Sequence, residues 1–316
     1  MERIFNVLLF FQDDTCSSVG YTAHDHSGND DSSIEFLRTR VSDDLKVATR
    51  MTLTTAFSRS EYNARCRLGE GHHLFDEVFS KNGAGSNPLF VSTPVRDGAI
   101  FFNYSSAHGG LDMKDVAAKL GAKGQMDDWL VKYTDGDGID IPRLIHDDYF
   151  LAIKLTFNAR LYVSAMKLLV SCIDSIAYIE YGNEQSVFVK WLDAYADLAP
   201  LGITATELWE LRNGILHMTN LNAKKVDQNK VRRITFRVGG PQEFARHGAD
   251  GIYYFDFHGL IRRFAEALGR WIETYNNDRD KFAKFVERYD ETISDSRIAV
   301  THLAQTGFDL DTPSQS

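Results

Sequence analysis

Arg212, Asn213 and His217 stand close together in the run Leu208-Trp209-Glu210-Leu211-Arg212-Asn213-Gly214-Ile215-Leu216-His217-Met218. Histidine is the side chain that exchanges protons near neutral pH. Arginine is a permanent cation whose planar fork of donors suits phosphate. Together they supply a proton carrier and an anion anchor. Five positions apart on an α-helix, they are separated by about 7.5 Å along the axis and roughly 140° around it. Within one regular helix that offset is too skewed for both to close on a single atom. The same helix from a second subunit, placed across a two-fold axis, would bring two arginines and two histidines into one cleft. The competing reading is architectural, with Arg212 and His217 only bridging a pair of helices.

The surrounding residues are set out to hold a helix. Thr204 stands three positions before Glu207, the spacing of a capping box, and predicts a helix from there to about Thr219. Leu208, Leu211, Ile215 and Met218 fall on one stripe at the helical period. Glu210, Asn213 and His217 fall on the opposite face, with Trp209, Arg212 and Leu216 between the two. A helix lying on a single core would be polar all along that far side. Apolar shoulders around an Asn and a His predict a second contact surface with polar chemistry inside it.

The run Arg212-Asn213-Gly214-Ile215-Leu216-His217 resembles the R-N-x-x-x-H signature of the HEPN superfamily. The likeness covers roughly residues 145–305, where the motif helix follows a long apolar helix and a shorter helical segment. It implies an α-helical bundle, usually dimeric, and a metal-independent ribonuclease with no cofactor. On that reading the RNA's own 2′-OH attacks the adjacent phosphorus. His217 acts as general acid or base, Arg212 stabilises charge on the phosphoryl oxygens, and Asn213 orients the phosphate or His217. Products would carry a 2′,3′-cyclic phosphate. An acidic residue on the long apolar helix often steadies the motif arginine in such proteins, which singles out Asp174; the alternative is an Asp174 that faces solvent. Many members serve defence or toxin roles in bacteria. A non-catalytic RNA-binding or regulatory dimer that keeps the motif as architecture is the alternative.

At 316 residues the chain is long enough for two domains. Its formal net charge of −9 argues against uniform coating by nucleic acid, while leaving room for a local basic patch. Cys16, Cys66 and Cys172 are scattered and lack metal-ligand or disulfide spacing, as expected of free thiols in a reducing cytoplasm. Phe5–Phe11 is too short to span a membrane and lacks the flanks of a signal peptide. These features predict a soluble, cytoplasmic protein with no membrane partner.

Residues 1–140 read as a mixed α/β domain of unknown role. Ile4–Phe11 is a continuous apolar run, expected as a buried strand. Gln12–Ser33, rich in Asp, Ser, Gly and Asn, is expected as loop. Ser33–Ala56 carries both helix and strand signals. His24 and His26 around Asp25, and the pair His72-His73, are polar surface before they are metal sites. Leu89–Val91 and Ala99–Tyr104 are expected as strands around a turn at Arg96-Asp97-Gly98, with short helices over Asp112–Leu120 and Gln125–Tyr133. Asp135-Gly136-Asp137-Gly138-Ile139-Asp140 fails the calcium-loop pattern at its fifth, sixth and twelfth positions and reads as a linker ending at Pro142.

From Asp147 helix follows helix. A first one, capped by Asp147 or Asp148, runs to about Asn158. Leu161–Tyr181 is a central bundle helix stopped by Gly182, and Val187–Leu198 precedes the motif helix. After the motif, Lys224, Lys225, Lys230, Arg232, Arg233 and Arg237 face one acid, Asp227. Lys224, Lys225, Arg232 and Arg233 are candidate phosphate contacts on RNA, the alternative being the charges of a solvated loop. Arg232–Val238 alternates like a strand, and Gly251–Phe257 is placed to pair with it as a β-hairpin insertion. Leu260–Tyr275 returns to helical spacing, and residues 306–316 form a polar tail. The expected fold class is therefore α+β, with a mixed N-terminal domain and an α-helical domain over 145–305.

Overall fold

The computed structural model describes residues 2–84, 88–96, 98–100, 128–135, 138–218, 228, 230–239, 248, 251–294 and 296. The chain is α+β and divides into two units. The first holds residues 1–116 and 280–287, the second residues 117–279 and 288–316.

The first unit is built around strand β1 (Glu2–Gln12), whose residues from Ile4 to Leu9 are all buried. Because strand side chains alternate, this one run feeds two cores. Ile4 and Leu8 pack with Leu37, Val41, Val91 and Val95 on one side. Phe5, Val7 and Leu9 pack with Phe57, Phe75, Val78 and Phe79 on the other. In chain order there follow β2 (Thr15–His26), α1 (Asp30–Val47), β3 (Thr49–Ser58), α2 (Arg59–Arg67), α3 (Asp76–Lys81), β4 (Phe90–Arg96) and the short β5 (Ala99–Ile100). The sheet order is β3-β2-β1-β4-β5, with β1 and β4 parallel and the other neighbours antiparallel.

Two expectations change here. The segment expected as loop over Gln12–Ser33 contains β2, which pairs with β1 from Thr15 to His26. Its Asp, Ser and Gly content is that of a strand with few buried side chains, Cys16 and Val19 among them, so pairing overrides composition. The ambiguous stretch after Ser33 is a helix and then a strand. Asn29 caps the helix by accepting from the Ser32 backbone at 2.9 Å. His24 and His26 share one face of β2. The first meets the buried Asp44 carboxylate at 2.7 Å and the second the Ser33 hydroxyl at 3.1 Å. β4 and β5 pair antiparallel about the expected turn, whereas the helix expected over Asp112–Leu120 lies outside the described residues.

The second unit opens with α4 (Trp129–Lys132), the described part of the helix expected over Gln125–Tyr133. The two-residue strands β6 (Thr134–Asp135) and β7 (Gly138–Ile139) and helix α5 (Ile141–Ile145) follow. Asp140 caps α5 through the Arg143 backbone, with Pro142 in the first turn, so the first long helix starts earlier than Asp147. It continues through a wide turn at His146–Phe150 into α6 (Leu151–Asn158). Residues 128–135 and 138–140, expected with the N-terminal domain, belong to the second unit. There Trp129 Nε1 donates to Asp290 at 2.7 Å and the Tyr133 hydroxyl donates to Asp147 at 3.0 Å.

Next come α7 (Tyr162–Tyr181), α8 (Val187–Tyr195) and α9 (Ala205–Asn213), the last extended by a π-turn over Gly214–Met218. α7 is the centre of the unit, with Met166, Leu169, Val170, Ile173 and Ile176 fully buried. It is also the one described helix long and apolar enough to cross a membrane by length and composition, and half of that window is buried inside the unit. Strands β8 (Ile234–Arg237) and β9 (Tyr253–Asp256) then pair, followed by α10 (Phe257–Asn277) and α11 (Lys281–Tyr289). The expected β-hairpin is corrected: β8 and β9 run parallel, Ile234 opposite Tyr253 and Arg237 opposite Asp256. Parallel neighbours cannot be joined by a tight turn, so the two strands are not a hairpin. Residues 280–287 return to the first unit, where Glu287 accepts hydrogen bonds from the Ser58 and Ser60 hydroxyls at 3.0 Å.

Candidate active site

Helix α9 begins as its sequence predicts. The Thr204 hydroxyl accepts from the Glu207 backbone at 3.2 Å, and the Glu207 carboxylate accepts from the Thr204 backbone at 2.8 Å. Leu208, Leu211 and Ile215 are buried, as the stripe requires, while the Met218 side chain lies outside the described part. The opposite face is mixed. Asn213 is half-buried and His217 exposed, but Glu210 is only 4% exposed, so the helix is covered on more than its apolar stripe.

The π-turn changes the geometry of the motif. In a π-turn the hydrogen bond runs from residue i to i+5, so residues five apart lie one above the other, as residues four apart do in an α-helix. Arg212 and His217 have that separation. Arg212 Nη1 lies 3.3 Å from His217 Nε2 within one chain. The offset expected from a regular helix is thereby removed, and no second subunit is needed to bring the two side chains together.

Arg212 is held from several directions. Its Nε donates to Asp174 Oδ2 at 2.6 Å, the pairing expected between the motif helix and α7. Its Nη1 donates to Asn213 Oδ1 at 3.0 Å. Asn213 thus contacts Arg212, and among the described residues no hydrogen bond joins it to His217. The Trp209 ring lies beneath the guanidinium, 4.8 Å away, and itself packs against Phe188 of α8. No motif assigns Trp209 this role, although its position three residues before Arg212 puts it on the neighbouring turn. Burial pushes the Asp174 carboxyl above its usual range, outweighing the pull of Arg212.

The four candidate phosphate contacts part company. Arg232 is committed to structure: it donates to Glu207 Oε1 at 2.8 Å, to the Gly202 carbonyl at 2.6 Å, and lies over the Tyr253 ring at 4.0 Å. It clamps the start of β8 to the first turn of α9. Arg233 is exposed on the same segment. Lys224 and Lys225 lie outside the described residues.

Among the described residues no group of three or more His, Cys, Asp or Glu side chains is arranged to hold a metal ion. Cys16, Cys66 and Cys172 are buried free thiols, and burial raises the first to about 11. Chemically the motif offers one exposed imidazole, one cation fixed at its edge, and a carboxylate that fixes the cation. Comparison with family models, with curated proteins and with solved structures finds no match to this chain.

Proposed function

We propose that the second unit is a HEPN-like helical domain and that the protein is a metal-independent endoribonuclease. The observation that carries the reading is the placement of Arg212 between Asp174 and His217, with the imidazole exposed beside it. His217 takes the proton of an RNA 2′-OH as that oxygen attacks the adjacent phosphorus. The P–O5′ bond breaks, and the proton is returned to the departing 5′-oxygen, leaving a 2′,3′-cyclic phosphate. Arg212 neutralises the charge that grows on the phosphoryl oxygens. The attacking group comes from the substrate, so the site needs no protein nucleophile. A reducing cytoplasm, which suits the three buried free thiols, and a bacterial defence or toxin role fit this activity.

The same reading includes a second copy of the chain. Leu151 and Leu155 of α6, Leu161 just before α7, and Val163 and Leu168 within it are exposed apolar side chains on or beside the helix that carries Asp174. An uncovered surface of this kind suits self-association. Such a dimer would set two sites side by side rather than complete one.

The test is incubation of the purified chain with RNA and a chelator, wild type beside His217→Ala. Cleavage should survive the chelator, vanish in the variant, and fail on RNA with 2′-deoxy at the scissile position. If the deoxy substrate is cut as fast as RNA, the mechanism is wrong. RNA binding without cleavage would favour the alternative of a non-catalytic RNA-binding or regulatory dimer.

A further inference from the structure

Building on the ribonuclease reading, we infer that the contact between Arg212 and His217 is a cap on the catalytic base, and that the phosphate of the substrate removes it. A guanidinium has only donors and stays charged throughout the range a protein meets. In its contact with His217 Nε2 it must donate, so the ring nitrogen contributes its lone pair. That contact as a hydrogen bond requires the Nδ1–H tautomer of the ring. The lone pair held by Arg212 is the one a general base would turn on a 2′-OH. In the resting chain it is occupied.

The donor inventory of Arg212 shows how it is released. Nε is bound to Asp174 and Nη1 is shared between Asn213 and His217, while Nη2 makes no hydrogen bond among the described residues. Among the described residues, the Nη2 N–H that lies beside Nη1 on the outer edge of the guanidinium is therefore available to an anion. The bond to His217, at 3.3 Å, is the longest of the three. A phosphodiester oxygen is charged, and charge-assisted hydrogen bonds are roughly twice as strong as those to a neutral acceptor. An anion arriving at Nη2 competes for the Nη1 hydrogen and takes it from the imidazole. Asp174 and Asn213 keep the guanidinium in place during the exchange. The base is thus uncovered only when a phosphate sits beside it, next to the hydroxyl it is to activate. No covalent bond changes in this step; one hydrogen bond is exchanged for another.

The experiment uses the full chain labelled with 15N at histidine, and two-bond 1H–15N spectra at mildly alkaline pH. The wild type alone should show His217 as the Nδ1–H tautomer with Nε2 hydrogen-bonded. Inorganic phosphate, and separately a dinucleoside monophosphate with 2′-deoxy at the attacking position, should move the Nε2 resonance towards its position in Arg212→Ala. Neither probe should move it in that variant. Arg212→Gln, which keeps a donor for Asp174, serves the same purpose if the alanine variant does not fold. An Nε2–H tautomer in the wild type would overturn the inference. So would an Nε2 resonance that neither probe moves, or one that moves equally without the arginine. The tautomer and phosphate arms need no cleavage, so failure of the cap is distinct from failure of the ribonuclease reading, which shows as intact RNA.

Discussion

Arg212 and His217 meet at 3.3 Å in one chain because the helix widens into a π-turn between them. Had the α-helix continued, their side chains would diverge by roughly 140°. The widening sits directly after Asn213, where it brings the imidazole beside the guanidinium. π-turns of this kind are frequent at functional sites.

This arrangement separates folding from chemistry. Leu211 is 4% exposed in the core, so Leu211→Ala should destabilise the chain by about 2–5 kcal/mol, read by denaturant unfolding. His217 is exposed, so His217→Ala should leave the unfolding midpoint nearly unchanged while RNA cleavage falls on the order of 10²–10⁴-fold. Arg212→Lys should restore little, because an ammonium cannot copy the fork that serves Asp174, Asn213 and the phosphate together. A His217→Ala protein that cleaves normally would end the catalytic assignment.

The basic segment should behave as two kinds of residue. Arg232→Ala strips the buried Glu207 of its cation and should lower stability by about 1–3 kcal/mol. Its effect on the salt dependence of RNA binding should be small. Neutralising Lys224 and Lys225 should do the opposite. The slope of log affinity against log salt should flatten by roughly 0.7 for each phosphate left without its lysine on single-stranded RNA, with stability intact. Titrations at several salt concentrations read both effects.

Asp174 gives a pH signature. Burial raises its carboxyl above the ordinary 3.8, so the folded state holds this proton more tightly than the unfolded chain. The stability it contributes is complete below that ordinary value and is lost as pH rises through the raised one. Asp174→Asn cannot titrate. Wild-type stability relative to the variant should therefore fall as pH climbs through that window, measured by paired denaturant melts. A difference that grows with pH instead would mean that Arg212 outweighs burial at this site.

Self-association should depend on the exposed leucines of α6 and α7. Leu155 is 61% and Leu168 38% exposed, so Leu155→Glu and Leu168→Glu should leave the fold intact. Each should weaken assembly by about fivefold or more, as expected for an interface residue worth over about 1 kcal/mol. Sedimentation at several concentrations measures this. A wild-type chain that stays monomeric while cutting RNA would discard the dimer and leave the site whole.

Much of the second unit could be read from spacing alone. The capping box at Thr204 and Glu207 is local chemistry, and the burial of Leu208 and Leu211 follows from periodicity. The pairing of Asp174 was reachable because a carboxylate among apolar residues demands a cation. The π-turn was not legible, because nothing in Gly214-Ile215-Leu216 marks a widened hydrogen-bond ladder. Nor was the role of Arg232, since a cation that clamps a strand looks in sequence like one waiting for phosphate. In the first unit, β1 declared itself by an unbroken apolar run. β2 did not, because its polar residues face outward and its pairing is decided by a neighbour.

The return of residues 280–287 to the first unit has a consequence for synthesis. The Ser58 and Ser60 hydroxyls begin helix α2, and the carboxylate they share belongs to Glu287. Ribosomes add about 5–20 residues per second, so that carboxylate emerges roughly 10–40 seconds after β5. The unit begun first is thus not completed until residues 117–279 of the other have been translated, and a nascent chain must carry it unfinished until then.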